Sequence, residues 1–232
     1  MSDLELFRVS GGNIKSLGIL TQNEADTLAE CCSKLITFQK HHALIEYVIY
    51  NFKHLNNSLV NLVNLSAKME LNNLEYPFSN FYFEINTAIL NLLASARTFL
   101  DHMQTHFERS SKSDRTKIET FKIITANEFD TKFSYKFMGK LRNFVQHCGM
   151  PPISYNLRKF YSEKDTLNTE LTLMFDRDFL LKEYDSWGAH AKPQLEAQNA
   201  EFPVITLVNE YIYSLINIYV RCIEDDIFLE II

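Results

Sequence analysis

The stretch KFMGKLRNFVQHCGMPP, residues 136–152, decides how this chain is read. Apolar residues recur in it at helical spacing, and Gly149, Pro151 and Pro152 form a stop signal. A helix is therefore expected from about Asn127 to Cys148. On its projection Phe133, Phe137, Leu141, Phe144, Val145 and Cys148 share one apolar face, which belongs in a core. Lys132, Lys136, Lys140, Asn143 and His147 step by four, four, three and four residues along the opposite side. His147 thus ends a basic, polar stripe, one turn after Asn143. That stripe is either a plain solvated face or a surface for an anion. Arg142 stands five residues before His147. At about 100° per residue the two lie roughly 140° apart around one straight helix. They converge on one small ligand only if the helix ends or distorts between them, or if a second chain brings its own copy.

Working outward, a polar connection with a slight basic excess, ERSSKSDRTK (108–117), precedes a helix expected over Asp114 to Ala126. Before it, Phe81, Ile85, Ile89, Leu92, Leu93, Ala96, Phe99 and Leu100 recur at helical spacing, which predicts a helix from about Ser79 to Phe107. Pro77 separates this from a long segment starting at Thr21, read as one helix or as two end to end. Thr21 and Glu24 form a capping-box pattern, and Leu28, Leu35, Phe38 and Ile45 give a helical stripe. Residues 1–20 are a small hairpin or a loose arm around SGGN.

After the stop signal the period changes from helical to two. Ile153, Tyr155 and Leu157 alternate with polar residues, as do Leu171, Leu173 and Phe175, and the pair reads as a β-hairpin. Short helices follow, split near Gly188 and Pro193, and a last long helix starts around Pro203. The fold class expected is mainly α: a helical bundle of about five long helices with one β-hairpin after the motif helix. Its parts are an arm over 1–20, a bundle over 21–148, and a hairpin with C-terminal helices over 149–232 packing on the same domain.

Composition agrees with that class. The 232 residues are 46% apolar and 13% aromatic, with six Gly and five Pro, which suits long helices around a sizeable core. Four cysteines, two of them adjacent at Cys31 and Cys32, are no disulfide framework for this length and fit a reducing compartment. No basic start followed by an apolar run opens the chain, and Asn209, Glu210, Asn217 and Arg221 interrupt its most apolar segment. A cytoplasmic protein without a membrane span is expected. The net charge of −6 excludes nucleic-acid binding by bulk electrostatics, so any such contact needs a local basic patch.

A second Arg-to-His spacing of five occurs in ARTFLDH, residues 96–102. Arg97 and Asp101, four apart, are expected to pair along the helix surface. His102 and His106 are also four apart, but no Cys or further His nearby in the sequence completes a zinc set, and no metal is expected. His41 and His42 point to different faces.

With its helix order, LRNFVQH resembles the signature of the HEPN superfamily (higher eukaryotes and prokaryotes nucleotide-binding). That signature is Arg, a polar residue that is typically Asn, then His after four to six intervening positions, late in an α-helical bundle. Arg142, Asn143 and His147 match it, and the resemblance covers about Ser79 to Cys148. The resemblance implies metal-independent RNA cleavage by a homodimer whose two motifs face each other, which answers the geometric objection above. Many members are toxins or act in antiviral defence, so a protein inhibitor or antitoxin is an implied partner; other members have lost activity. The implied roles are His147 as general acid or base and Arg142 as phosphate stabiliser, with Asn143 orienting one of them, and no cofactor. Lys136 and Lys140, with Arg109, Lys112, Arg115 and Lys117 in the connection, are candidates to track an RNA backbone. The alternative is a HEPN-like bundle without catalysis that binds RNA, a nucleotide or a protein partner.

Overall fold

Thr21 closes a reciprocal cap on the first helix. Its backbone N–H and hydroxyl both donate to Glu24 Oε2 at 2.8 Å, and the Glu24 N–H donates back to Thr21 Oγ1 at 3.3 Å. From that cap a single helix, α1 (Gln22–Ala67), runs without a break, so the segment is one helix and not two. This is a computed structural model, and it describes residues 4–67, 80–110, 115–162 and 167–224. Ahead of α1, residues read as hairpin or arm form an antiparallel hairpin of β1 (Leu4–Ser10) and β2 (Asn13–Leu20), with a bulge at Leu6/Phe7.

The remaining helices are α2 (Phe81–Ser110), α3 (Thr116–Thr131), α4 (Phe133–His147), α5 (Arg177–Glu183), α6 (Gly188–Glu196) and α7 (Val204–Glu224). A second sheet joins β3 (Ile153–Tyr161), β4 (Leu167–Asp176) and β5 (Glu201–Pro203) in the antiparallel order β3-β4-β5. Helix dominates, as the composition implies: the described residues hold seven helices, the short α5 and α6 among them, and two small antiparallel sheets.

Three boundaries differ from the sequence reading. The motif helix begins at Phe133, because Lys132 takes an extended conformation (φ −120°, ψ 120°) that closes α3 and opens α4. Pro203, expected in the first turn of the last helix, instead ends β5, and Phe202 there pairs with Phe175. The expected break near Pro193 is absent, for that proline lies inside α6. The expected helix start at Ser79 and the separating Pro77 lie outside the described residues.

The core is built around α2, whose Phe81, Ile85, Ile89, Leu92, Leu93, Ala96 and Phe99 are all buried, as their spacing predicts. It packs against α1, α3 and α4, and α7 packs on α1, α3 and α4. The hairpin keeps its expected alternation: Ile153 pairs with Phe175 and Tyr155 with Leu173, and Ile153, Leu173 and Phe175 are buried. What holds α4 is an aromatic stack. Phe137 lies against the buried Trp187 with centroids 5.5 Å apart and planes 7° from parallel, and Phe144 meets the same indole at 6.1 Å. The Trp187 N–H donates to the Leu180 carbonyl at 3.1 Å, so its polar atom is satisfied in the core.

The first half of α1 does not join this core. The buried residues of α1 are Ile45, Val48, Leu55, Leu62 and Ser66, all in its second half. Of the stripe read from the sequence, Ile45 is buried while Leu28 and Leu35 are exposed. Periodicity identified a helix face correctly there but not where that face ends up.

Candidate functional site

α4 carries the motif as an unbroken helix to His147. Cys148 ends it, its N–H donating to the Phe144 carbonyl at 2.8 Å, and Gly149 turns the chain away with φ 116°. No distortion separates Arg142 from His147, so the two remain on different sides of one helix.

Arg142 is half-buried and donates to Asn143 Oδ1 at 3.3 Å and to Gln146 Oε1. Both acceptors are neutral amides, so they orient the guanidinium without cancelling its charge. It stands between two adjoining clefts. One, of about 250 Å³, is lined by Arg97, Tyr135, Lys136, Lys140, Asn143 and Tyr211 among others. The second, of about 180 Å³, is lined by Arg97, Thr98, Asp101, Val145 and Gln146 with Arg142 again. Arg97 therefore faces Arg142 from α2 across both. It forms the expected pair with Asp101, Nε to Oδ2 at 2.8 Å and Nη2 to Oδ1 at 2.7 Å. The sequence signal for Arg97 was present in ARTFLDH, but the pair with Asp101 explained it locally, and only the packing of α2 on α4 adds the cleft.

The floor of the larger cleft is phenolic. Burial pushes the Tyr135 hydroxyl well above its ordinary range, aided by Glu128 and opposed by Arg97. Burial and the neighbouring Tyr135 do the same to Tyr211, again opposed by Arg97. Both stay protonated at neutral pH and can donate hydrogen bonds. Beside them, burial works to raise the Glu128 carboxyl, but hydrogen bonds from Lys132, Ser214 and Asn217 outweigh it and hold the group below its ordinary range. Asn217 donates to Glu128 Oε1 at 2.6 Å, and Lys132 pairs with Oε2 at 2.7 Å.

That pairing corrects the lysine stripe. Lys132 serves Glu128. Lys136, expected to track an RNA backbone, is buried, with Nζ donating to the Asp130 carbonyl at 3.1 Å and Gln194 Oε1 at 3.3 Å. The projection misses this because α6, distant in sequence, packs on the side of α4 that looked solvated. Lys136→Ala is expected to lower stability by about 1–3 kcal/mol, by removing two part-buried hydrogen bonds from a charged group. Urea unfolding checks it; unchanged stability with weakened RNA binding would restore the sequence reading. Lys140 remains half-buried on the cleft wall.

His147 is exposed and lines neither cleft. Cys148, expected on the apolar face, is exposed too, its thiol donating to the Glu183 carbonyl at 3.2 Å. Arg109 and Arg115 are exposed at the ends of α2 and α3. Arg109 follows Arg97 by twelve residues, about 18 Å along α2, and so does not reach the cleft. Lys112 lies outside the described residues. Asn91 and Ser95 do not line the clefts, while Asp101 does.

His106, four residues after the His102 of ARTFLDH, meets a histidine from α1. The rings of His41 and His106 lie 4.0 Å apart, whereas His42 turns towards Tyr219, Nδ1 to Oη at 2.7 Å. The two neighbours thus face different ways, as expected. Among the described residues no group of three metal-ligating side chains has the geometry to hold an ion. Burial, helped by the charges of His106, His102 and Lys40, lowers the His41 pKa from about 6.5 to about 4. Burial and Lys117 lower that of His106. The unfolded chain therefore binds more protons than the folded one between those values, and stability falls as pH drops from about 6.5 towards 4. Because the ring is half exposed, screening holds the loss to roughly 1 kcal/mol. His41→Phe is expected to lessen the fall in melting temperature over that range, and a parallel fall in both proteins would refute it.

The fold and the cleft define an α-dominant protein with an arginine-lined, phenol-floored depression beside an exposed histidine. No protein-family model, curated protein or solved structure matches the chain. Among the described residues, no helix is long and apolar enough to cross a membrane.

Proposed function

We propose that this chain is a metal-independent endoribonuclease of HEPN type that works as a homodimer. The observation behind the reading is the placement of Arg142 and Asn143 on one turn of α4, at a cleft that Arg97 and Lys140 also line, with His147 exposed one turn further on. Two guanidiniums and an ammonium suit a phosphodiester, and the planar fork of Arg142 suits the charged phosphorane. In the reaction the ribose 2′-hydroxyl attacks the adjacent phosphorus as a base takes its proton. The P–O5′ bond then breaks and the leaving oxygen gains a proton. The products are a 2′,3′-cyclic phosphate and a 5′-hydroxyl, and no electrons are exchanged. His147 performs one of the two proton transfers, for which an imidazole can serve as general acid or base. It does so in the cleft of the other chain, since its own helix turns it away from Arg142.

The test is incubation of the full-length protein with mixed cellular RNA in EDTA, followed by analysis of the new ends. Cyclic phosphate ends made by the native chain and not by His147→Ala support the reading. A folded dimer that leaves the RNA intact would overturn it. One observation favours a second reading: Arg97, Arg142 and Lys140 line a cleft that His147 does not reach within one chain. A bundle that binds RNA or a nucleotide without cutting it would need no more. Binding that is lost in Arg142→Ala, with no cleavage by either protein, would select it.

A further inference from the structure

The larger cleft between α2 and α4 holds more positive charge than a single phosphodiester calls for. Arg97, Lys136, Lys140 and Arg142 line it, and no carboxylate stands among its described lining residues. That concentration runs against the chain's net charge of −6. Asp101 balances Arg97, but from the side of the smaller cleft. Lys136 and Arg142 meet only carbonyl and amide oxygens. Lys140 pairs with no carboxylate among the described residues. A cleft lined by one sign of charge gathers ions of the other. A phosphodiester brings one negative charge, whereas a phosphate monoester brings about −1.5 to −2 at neutral pH.

Hydrogen-bond donors are left over there as well. Arg97 gives Nε and Nη2 to Asp101, which leaves Nη1. Arg142 gives Nη1 to Asn143 and Gln146, which leaves Nε and Nη2. Tyr211 lines the cleft while only 3% exposed, and among the described residues its hydroxyl has no hydrogen-bond partner. Buried hydroxyls are ordinarily paired, so this one is kept for a group that enters the cleft. The charge of Arg97 acts on both Tyr211 and Tyr135, so guanidinium and phenols surround one space. At about 250 Å³ that space is smaller than the roughly 300–1,000 Å³ of pockets for drug-sized ligands. It suits a phosphate and one ring rather than a run of nucleotides, and Leu93, Leu100 and Phe129 give the ring an apolar wall.

We propose that this cleft selects a phosphate monoester, the terminal phosphate of a nucleotide, with Arg97 and Arg142 on its oxygens and Tyr211 donating a third hydrogen bond. The inference rests on the reading of the cleft as a phosphate site and adds the charge state that it selects. It requires no cleavage. A free mononucleotide and the 5′ end of an RNA present the same group.

The experiment is calorimetric titration of the full chain with adenosine 5′-monophosphate, with adenosine, and with the diester ApA, 2′-O-methylated so that it is not cut. A short 2′-O-methylated RNA is titrated in parallel, with its 5′ end phosphorylated or left as a hydroxyl. The monophosphate is expected to bind at least about tenfold more tightly than ApA or adenosine, the worth of one further charge-assisted hydrogen bond. The same preference for the phosphorylated RNA assigns the ligand to an RNA end, and a preference confined to the mononucleotide assigns it to a free nucleotide. Arg97→Gln and Tyr211→Phe are each expected to shrink the preference by about 3–10-fold. Urea unfolding is expected to stay close to native in both, since the Arg97–Asp101 pair is exposed and the Tyr211 hydroxyl has no partner among the described residues. ApA bound as tightly as the monophosphate would assign the surplus charge to the phosphorane of cleavage and overturn the inference. A preference that survives both substitutions overturns it too. Cleavage of RNA without the preference would leave only the ribonuclease reading standing, and the preference with RNA left intact would leave only this inference.

Discussion

His147→Ala is expected to slow RNA cleavage by about 10²–10⁴-fold, the usual contribution of a positioned general acid or base. Its melting temperature is expected to stay unchanged, because the side chain is exposed at the last residue of α4. Arg142→Ala is expected to cost about 10²–10³-fold, in line with loss of a donor that meets developing charge. Arg142→Lys is not expected to recover the rate, since an ammonium lacks the planar fork. The two variants also test whether a site is shared between chains. Each is inactive alone, but a mixed dimer holds one site with both groups native. Random mixing of equal amounts is then expected to restore about a quarter of native activity, because half the dimers are mixed and each has one working site. No recovery from two inactive, dimeric variants would place both groups of one site in the same chain. The unbroken geometry of α4 would then have to change on binding RNA.

Trp187→Ala is expected to lower stability by about 3–5 kcal/mol, the largest loss from any single side chain considered. Its indole is fully buried, stacks on Phe137 and Phe144, and holds its N–H on the Leu180 carbonyl. Truncation leaves a cavity under α4 and removes the flat surface that sets the helix's rotation. Against a typical domain stability of about 5–15 kcal/mol, the variant is near the limit of folding. Trp187→Phe keeps a stacking ring and loses only the N–H contact and some volume, so it is expected to retain most of the stability. Denaturant unfolding of the pair separates these effects. Equal losses would show that the hydrogen bond to Leu180, not the stack, holds α4 in place.

Trp187 also marks a limit of linear reading. Phe137 and Phe144 announced a buried face through their spacing, and both are buried with Leu141, although Cys148 at the end of that face is exposed. Nothing near them in the chain names their partner, which arrives from the turn before α6 some forty residues later. The same limit governs Lys136. A projection sorts residues by direction around one axis, so it separates a core face from the rest. It does not say whether another helix will cover the rest, as α6 does.

Local chemistry was the part the sequence determined. The Thr21–Glu24 cap, the Arg97–Asp101 pair, the β3–β4 alternation and the stop at Gly149 depend on residues within a few positions of one another, or on a period of two. Backbone geometry alone brings those groups together. The motif helix and the angular separation of Arg142 from His147 follow from the same short-range regularity. Tertiary structure decided the rest: Arg97 across the cleft from Arg142, Tyr135 and Tyr211 beneath them, Lys136 covered by the packing of α6, and the apolar first half of α1 left outside the core. Each of these depends on which surfaces meet across long separations in the chain. Apolar burial is not directional, so a pattern shows that a face seeks cover without showing what will cover it.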